Sequence, residues 1–118
     1  MTKKLGDFEI LLLMALLRLR EGAYGAEVHR EIEDRTERSI AVGAVYTGLA
    51  RLEHAGLISS VVGEPTPERG GRRKRYYQVE ATGLEALRDA IGGLRRMAKG
   101  IQEQVAWVEP AGEQEGGR

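Results

Sequence analysis

Apolar residues in the first half of the chain recur at the spacing of amphipathic helices. The most apolar run, residues 10–17, follows two acidic residues and precedes two arginines, an order that the dipole of a helix favours. We therefore predict a first helix over residues 7–20, stopped by Glu21 and Gly22. The run has eight residues, whereas about 20 cross a membrane, and Asp7 and Glu9 interrupt the basic stretch that a signal peptide needs. We interpret it as a buried helix.

Two more helices are predicted from the same periodicity. Residues 25–36 form a short, acidic second helix. Residues 40–55 form the third, ended by Gly56 in a left-handed conformation. The apolar positions of the third helix, which recur at helical spacing, are Val42, Val45, Leu49 and Leu52.

A β-hairpin is predicted after the third helix, because residues 57–62 and 76–79 are rich in β-branched and aromatic side chains. The connecting segment, residues 63–75, reads GEPTPERGGRRKR. Its two prolines and three glycines exclude a regular element, and it is longer than an ordinary hairpin turn. Loops of this length are usually functional or disordered.

The last predicted helix begins at Thr82. Thr82 and Glu85 have the spacing of a capping box, in which the hydroxyl and the carboxylate satisfy free amide hydrogens at the start of the helix. Apolar residues then alternate at intervals of three and four, the heptad spacing that holds one stripe against a partner helix. This stripe, the predicted dimer interface, comprises Leu84, Leu87, Ile91, Leu94, Ala98, Ile101 and Val105, and it continues to Val108. We predict three parts: a winged-helix domain over residues 1–80, a dimerisation helix over residues 81–108 and a flexible polar tail over residues 109–118.

This order of elements is that of a winged helix-turn-helix, an α+β fold that is mainly α with a small β-hairpin. The turn at residues 35–39 would place the third helix in a DNA major groove. The predicted solvent-facing residues of that helix are Gly43, Ala44, Thr47, Gly48, Arg51 and His54. Small residues allow close approach to the bases, while Tyr46, Thr47 and Arg51 can bind phosphate or base edges. Tyr46 could equally be partly core, and Arg51 merely solvated.

The distribution of charge along the chain supports DNA binding, although the net charge does not. The chain has 18 basic and 18 acidic residues, and a net charge of zero argues against a uniformly basic nucleic-acid binder. The loop over residues 63–75, however, has a net charge of +3, against −4 over residues 21–37. A basic loop at the tip of a wing can contact phosphates or a minor groove, although a basic loop alone is more often solvated surface. The predicted contacts outside the third helix are Lys3, Lys4, Arg69, Gly70, Gly71, Arg72, Arg73 and Lys74.

Catalytic chemistry has little support. Without cysteine there is no disulfide, thiolate nucleophile or cysteine-ligated zinc, and a reducing cytosol suits the chain. His29 and His54 lie on different predicted helices without metal-binding spacing. Gly70 and Gly71 precede a basic strand instead of the helix that a nucleotide-binding loop requires. We expect neither enzyme activity nor a cofactor or metal.

Several motifs together resemble the PadR family of transcriptional regulators. They are the apolar run at 10–17, YG at 24–25, GAVY at 43–46, LARLEHAGLI at 49–58 and GGRRKRYY at 70–77, and the resemblance covers residues 10–87. It implies a cytoplasmic bacterial repressor, dimeric through its last helix, that binds operator DNA and is often released by a small molecule. It also implies that the DNA surface includes Tyr46, Thr47, Arg51, Gly71, Arg72 and Arg73.

The chain departs from the family pattern in three places. Tyr24-Gly25-Ala26 replaces the usual His-Gly-Tyr, and VEATG at residues 79–83 replaces Leu-Thr-x-x-Gly. Multidrug-binding members, which the chain also resembles, have a tryptophan at the position aligned with Leu94, whereas the one tryptophan here is Trp107. We expect Trp107 to pack at the end of the dimer. The alternative function is a protein-interaction module that assembles through the heptad helix and binds no DNA.

Overall fold

The computed structural model describes residues 4–64 and 73–105. Its elements are α1 (Asp7–Leu19), a 3₁₀ turn (Arg20–Gly22), α2 (Gly25–Thr36), α3 (Val42–His54), β1 (Ile58–Val62), β2 (Arg75–Val79) and α4 (Ala81–Ala98). The predicted order of three helices, a hairpin and a fourth helix is confirmed. No helix in these two ranges is long and apolar enough to cross a membrane.

The core forms around α1, whose leucines are among the most deeply buried side chains. Leu12 and Leu13 are fully inaccessible to solvent, and α2, α3, β2 and α4 all pack against α1. The other elements contribute Val28, Ile32, Val45, Leu49, Leu52, Leu57, Ile58, Tyr77, Ala86 and Leu87. Apolar side chains from the other helices and from the hairpin therefore pack against α1.

Two residues of α3 lie on faces other than those predicted. Val42, a predicted member of the apolar face, is 51% exposed because it is the first residue of α3, one turn before Val45, where the buried part of the helix begins. Gly48, predicted to face solvent, is buried, and a Cβ at this position would overlap the Leu12 side chain. The missing side chain is what lets α3 approach α1 closely.

The turn between α2 and α3 is held at the backbone amide and carbonyl of Ile40. The Glu33 carboxylate accepts a hydrogen bond from the Ile40 amide at 2.9 Å, and His29 Nε2 lies 2.6 Å from the Ile40 carbonyl oxygen. Glu37, with φ of 56°, ends α2 in the left-handed region. His29 and Glu33 thus fix the point at which the chain enters α3. Within residues 4–64 and 73–105, no three acidic or histidine side chains converge as a metal site would require.

The hairpin is antiparallel, with Ile58 opposite Val79 and Val62 opposite Arg75. A third segment extends it, because the Tyr77 amide donates to the Ala23 carbonyl at 2.9 Å and Tyr24 forms a β-bridge with Tyr76. The chain just before α2 therefore lies along the edge of β2.

Helix α4 differs from the prediction at both its start and its end. Glu80 is the N-cap, and the Thr82 hydroxyl donates instead to the Gly56 carbonyl at 2.6 Å, so the predicted capping box is absent. The helix ends at Ala98, followed by Lys99 in an extended conformation and by Gly100 with φ of +91°. The predicted continuous helix to residue 108 is therefore wrong, because glycine in the left-handed region ends it although the apolar spacing continues. Residues 106–118, with Val108 and Trp107, lie outside the described residues.

We predict that Gly83→Ala destabilises the protein by about 1–3 kcal/mol, although alanine favours a helix. A Cβ at this position would overlap the backbone oxygen of Leu57, which is fixed by its hydrogen bond from the Glu80 amide. Gly93→Ala is the control, because only the tip of Arg96 lies near, at 3.8 Å, and it should be neutral or stabilising. Urea denaturation at equal protein concentrations measures both, and equal stability of the two variants would contradict this packing.

Candidate nucleic-acid interface

One face of α3 is free of the core. Val45, Leu49 and Leu52 are fully buried, which turns the opposite side of the helix outward. The residues exposed there are Gly43, Ala44, Thr47, Arg51 and His54. The face combines small side chains near the helix start with one hydroxyl and one guanidinium further along, so it can approach a surface closely and donate hydrogen bonds to it.

Tyr46 does not belong to the core. Its side chain is 47% exposed, and its phenol lies over Gly25 at the start of α2, where an added Cβ would overlap it. One side of the ring therefore contacts α2 while the rest faces solvent beside Thr47. The absence of a side chain at Gly25 is what makes room for Tyr46.

The start of α1 borders the same face. Asp7, Glu9, Thr47 and Arg51 line an open groove between α1 and α3. The Glu9 carboxylate accepts a hydrogen bond from the Gly6 amide at 2.9 Å. Lys4 is exposed just before this helix. Lys3 lies outside the described residues, so its predicted role is untested.

The wing is the hairpin of β1 and β2 with the segment that connects them, and a backbone hydrogen bond closes its base. The Gly63 amide donates to the Lys74 carbonyl at 2.7 Å, and a Cβ at Gly63 would lie only 2.8 Å from the Tyr76 ring. The Lys74 ammonium lies 5.1 Å from the centre of the Tyr24 ring, and Arg73 is exposed. The remaining predicted wing contacts, Arg69, Gly70, Gly71 and Arg72, lie outside the described residues.

Arg75, in contrast, joins the wing to α3. Its guanidinium donates to the Ser60 hydroxyl at 3.0 Å, and that hydroxyl donates to the Glu53 carboxylate at 2.7 Å. Arg75 is exposed, and its guanidinium also links the two strands of the hairpin to α3. The sequence alone does not predict this network, because its three members lie in three different elements, α3, β1 and β2.

The buried Tyr77 lies at the same junction. Burial raises the pKa of its phenol, Arg75 opposes the rise, and Glu53 and Tyr46 add to it. Because the folded-state pKa lies above the ordinary value of about 10, the stability that the neutral phenol contributes is present below that pH. It is lost as pH rises through the raised pKa, so the phenol is neutral throughout the physiological range.

The predicted apolar stripe on α4 divides into buried and exposed residues. Leu87 is only 4% exposed and packs in the core of its own chain, and Ile91 packs partly against the same core, so little of either side chain is open to a partner. Leu84, Leu94 and Ala98 remain exposed on the helix, while Ile101 and Val105 are exposed beyond its end. Met97, which the heptad spacing missed, is 78% exposed. The open apolar surface is thus shifted toward the end of α4.

Comparisons with known proteins agree with this architecture. Residues 12–89, more than half of the chain, match the family described as the transcriptional regulator PadR-like family. A transcriptional regulator from Clostridium thermocellum is 26% identical with a TM-score of 0.65, covering 80% of this chain and 86% of that one. A PadR family regulator from Clostridium difficile is 25% identical with a TM-score of 0.64, covering 85% and 99%.

Bacillus subtilis PadR, solved in complex with operator DNA, has the same fold at 19% identity and a TM-score of 0.58, covering 73% of this chain and 48% of that one. No curated protein sequence matches significantly. The family match and the winged helix-turn-helix fold together show that this chain belongs to the PadR-like family of transcriptional regulators.

Proposed function

We propose that the protein is a homodimeric transcriptional repressor that binds a pseudo-palindromic operator. The observation that carries the proposal is the position of the outward face of α3 next to the base of a basic wing, both meeting at the start of α2. Bacillus subtilis PadR, which binds operator DNA, shares the fold. Because the proposed target is operator DNA, we propose that the protein acts in the bacterial cytoplasm.

In this proposal α3 lies in the major groove. Gly43 and Ala44 allow its first turn to approach the base edges, and Tyr46 and Thr47 offer hydroxyls. Arg51 has the donor geometry for guanine or phosphate. The wing contributes Arg72, Arg73 and Lys74 to the neighbouring backbone, which adds affinity with little dependence on sequence.

A second copy of the chain covers the exposed apolar surface of α4. Leu94 is 60% exposed and Met97 is 78% exposed, an arrangement that is unfavourable in water. Two copies related by a two-fold axis would place their third helices about one helical turn of DNA apart, which calls for an inverted-repeat operator.

A small-molecule effector would release the DNA by changing that separation. A ligand between α4 and the partner can do this only if it binds more tightly to one separation than to the other. Leu94 occupies the position where multidrug-binding relatives have a tryptophan, so stacking of a planar drug at that point is not part of the proposal.

The wing predicts a salt effect. Arg72→Ala with Arg73→Ala should weaken binding to every duplex, and the slope of log affinity against log salt should fall by about 0.9 for each lost phosphate contact. Arg96→Ala with Lys99→Ala removes the same charge from exposed positions at the end of α4 and should leave the slope unchanged. Gel-shift titrations at several salt concentrations measure this. Equal slopes for the two variants would exclude the wing assignment, and absence of DNA binding by the wild type would favour the interaction-module alternative.

The α4 surface predicts a change of assembly. Leu94→Glu should convert the dimer to monomers, because a carboxylate in an apolar interface loses its hydration without gaining a partner. Arg96→Glu introduces the same side chain on the opposite side of the helix and should leave the dimer intact. Light scattering measures the mass and circular dichroism confirms folding. A Leu94→Glu variant that stays dimeric contradicts the proposed interface.

A further inference from the structure

Helix α3 and the wing both contact one dipeptide, Tyr24-Gly25, at the start of α2. On one side, the Tyr46 phenol of α3 occupies the space above Gly25 that a side chain would fill. On the other, Tyr24 pairs with the wing strand through its β-bridge to Tyr76. The two surfaces proposed to bind DNA are thus positioned by contacts with two neighbouring residues as well as by packing on the core.

The Tyr24 ring is held by three groups. The Tyr76 ring meets it edge-on with centroids 5.6 Å apart and planes at 73°, which is a favourable aromatic geometry. The Lys74 ammonium lies 5.1 Å from its centre, within cation–π range. Its hydroxyl donates to the Glu27 carboxylate at 3.4 Å. The ring therefore links Lys74, at the base of the wing, to the first turn of α2.

We propose that Tyr24 and Gly25 are positioning residues that set the separation between the face of α3 and the wing base, so that Tyr46 and Lys74 engage DNA as one unit. The inference rests on the proposed function and adds to it residues that do not themselves read bases. Tyr24 is half-buried, Tyr46 is half-exposed, and neither belongs to the core cluster. Replacing them therefore changes the alignment of two surfaces while the core stays packed.

The chemistry of the contacts distinguishes the two residues. Tyr24 acts through its ring, because the ring makes the contacts with Lys74 and Tyr76, whereas the long hydroxyl contact with Glu27 adds less. Gly25 acts through the absence of a side chain. We therefore expect Tyr24→Phe to retain DNA binding and Tyr24→Leu to lower it, and we expect Gly25→Ala to displace the Tyr46 phenol without changing α3 itself.

The test is a double-mutant cycle with Tyr24→Leu and Lys74→Gln in the full chain. The probes are a duplex that the wild type selects from a random library and an unselected duplex of equal length. Contacting residues couple by about 2- to 100-fold in affinity. We expect Lys74→Gln to weaken selected-duplex binding at least about threefold more in the wild type than in Tyr24→Leu, as contact coupling requires. Tyr24→Phe should restore the wild-type effect.

Gly25→Ala provides an independent arm. It should reduce the ratio of selected-duplex to unselected-duplex affinity, because the displaced Tyr46 no longer meets the groove in register with the wing. Gly22→Ala is the matched control, since no atom lies within 4 Å of a Cβ at that position, and it should preserve the ratio. Circular dichroism and thermal melting confirm that each variant folds.

A readout without DNA tests the contact itself. In the free protein the methylene protons next to the Lys74 ammonium should show an upfield ring-current shift in the wild type and in Tyr24→Phe, and lose it in Tyr24→Leu. Additive effects in the cycle, or an unchanged affinity ratio for Gly25→Ala, would overturn this inference while leaving the proposed function intact. A wild type that binds no duplex would overturn both.

Discussion

The burial of α1 is the constraint on which the rest of the structure depends. Its buried leucines, Leu12, Leu13 and Leu16, lie in one core with side chains from α2, α3, the hairpin and α4, so each of those elements must turn its apolar side toward one helix. For α3 this fixes Val45, Leu49 and Leu52 on the inside, with Gly48 in close contact with Leu12. The outward face that remains is the one available to DNA. A packing requirement thus determines which residues can be functional.

The second constraint is the attachment of the wing. The hairpin has two strands, and a pair of strands alone is marginally stable in water. Here it gains a third segment at Ala23 and Tyr24 and a polar connection from Arg75 through Ser60 to Glu53. These contacts hold the wing base against both α2 and α3. With a net charge of zero, the chain has little general attraction for DNA, so in the proposed function the alignment of the wing with α3 carries more of the binding.

The sequence predicts the elements well where the periodicity is local. The helix and strand order, and the outward position of Thr47 and Arg51, follow from the spacing of apolar residues. The capping role predicted for Thr82 was wrong because its hydroxyl donates to Gly56, which is distant in sequence. Leu87 likewise packs in the core against elements distant in sequence, which the heptad spacing does not show. The end of α4 at Ala98 was missed because glycine conformation, not apolar spacing, determines where the helix stops.

The contacts of Tyr24 illustrate what a single sequence leaves open. Tyr24, Tyr46 and Tyr76 are far apart along the chain, and only the folded arrangement brings them to the same place. The most direct test of operator binding by a two-fold dimer is selection of bound fragments from random duplex DNA by the protein. We expect enrichment of an inverted repeat whose half-site centres lie about 10 base pairs, or a multiple of this, apart. No enrichment, or enrichment of a single half-site without its inverted partner, would contradict it.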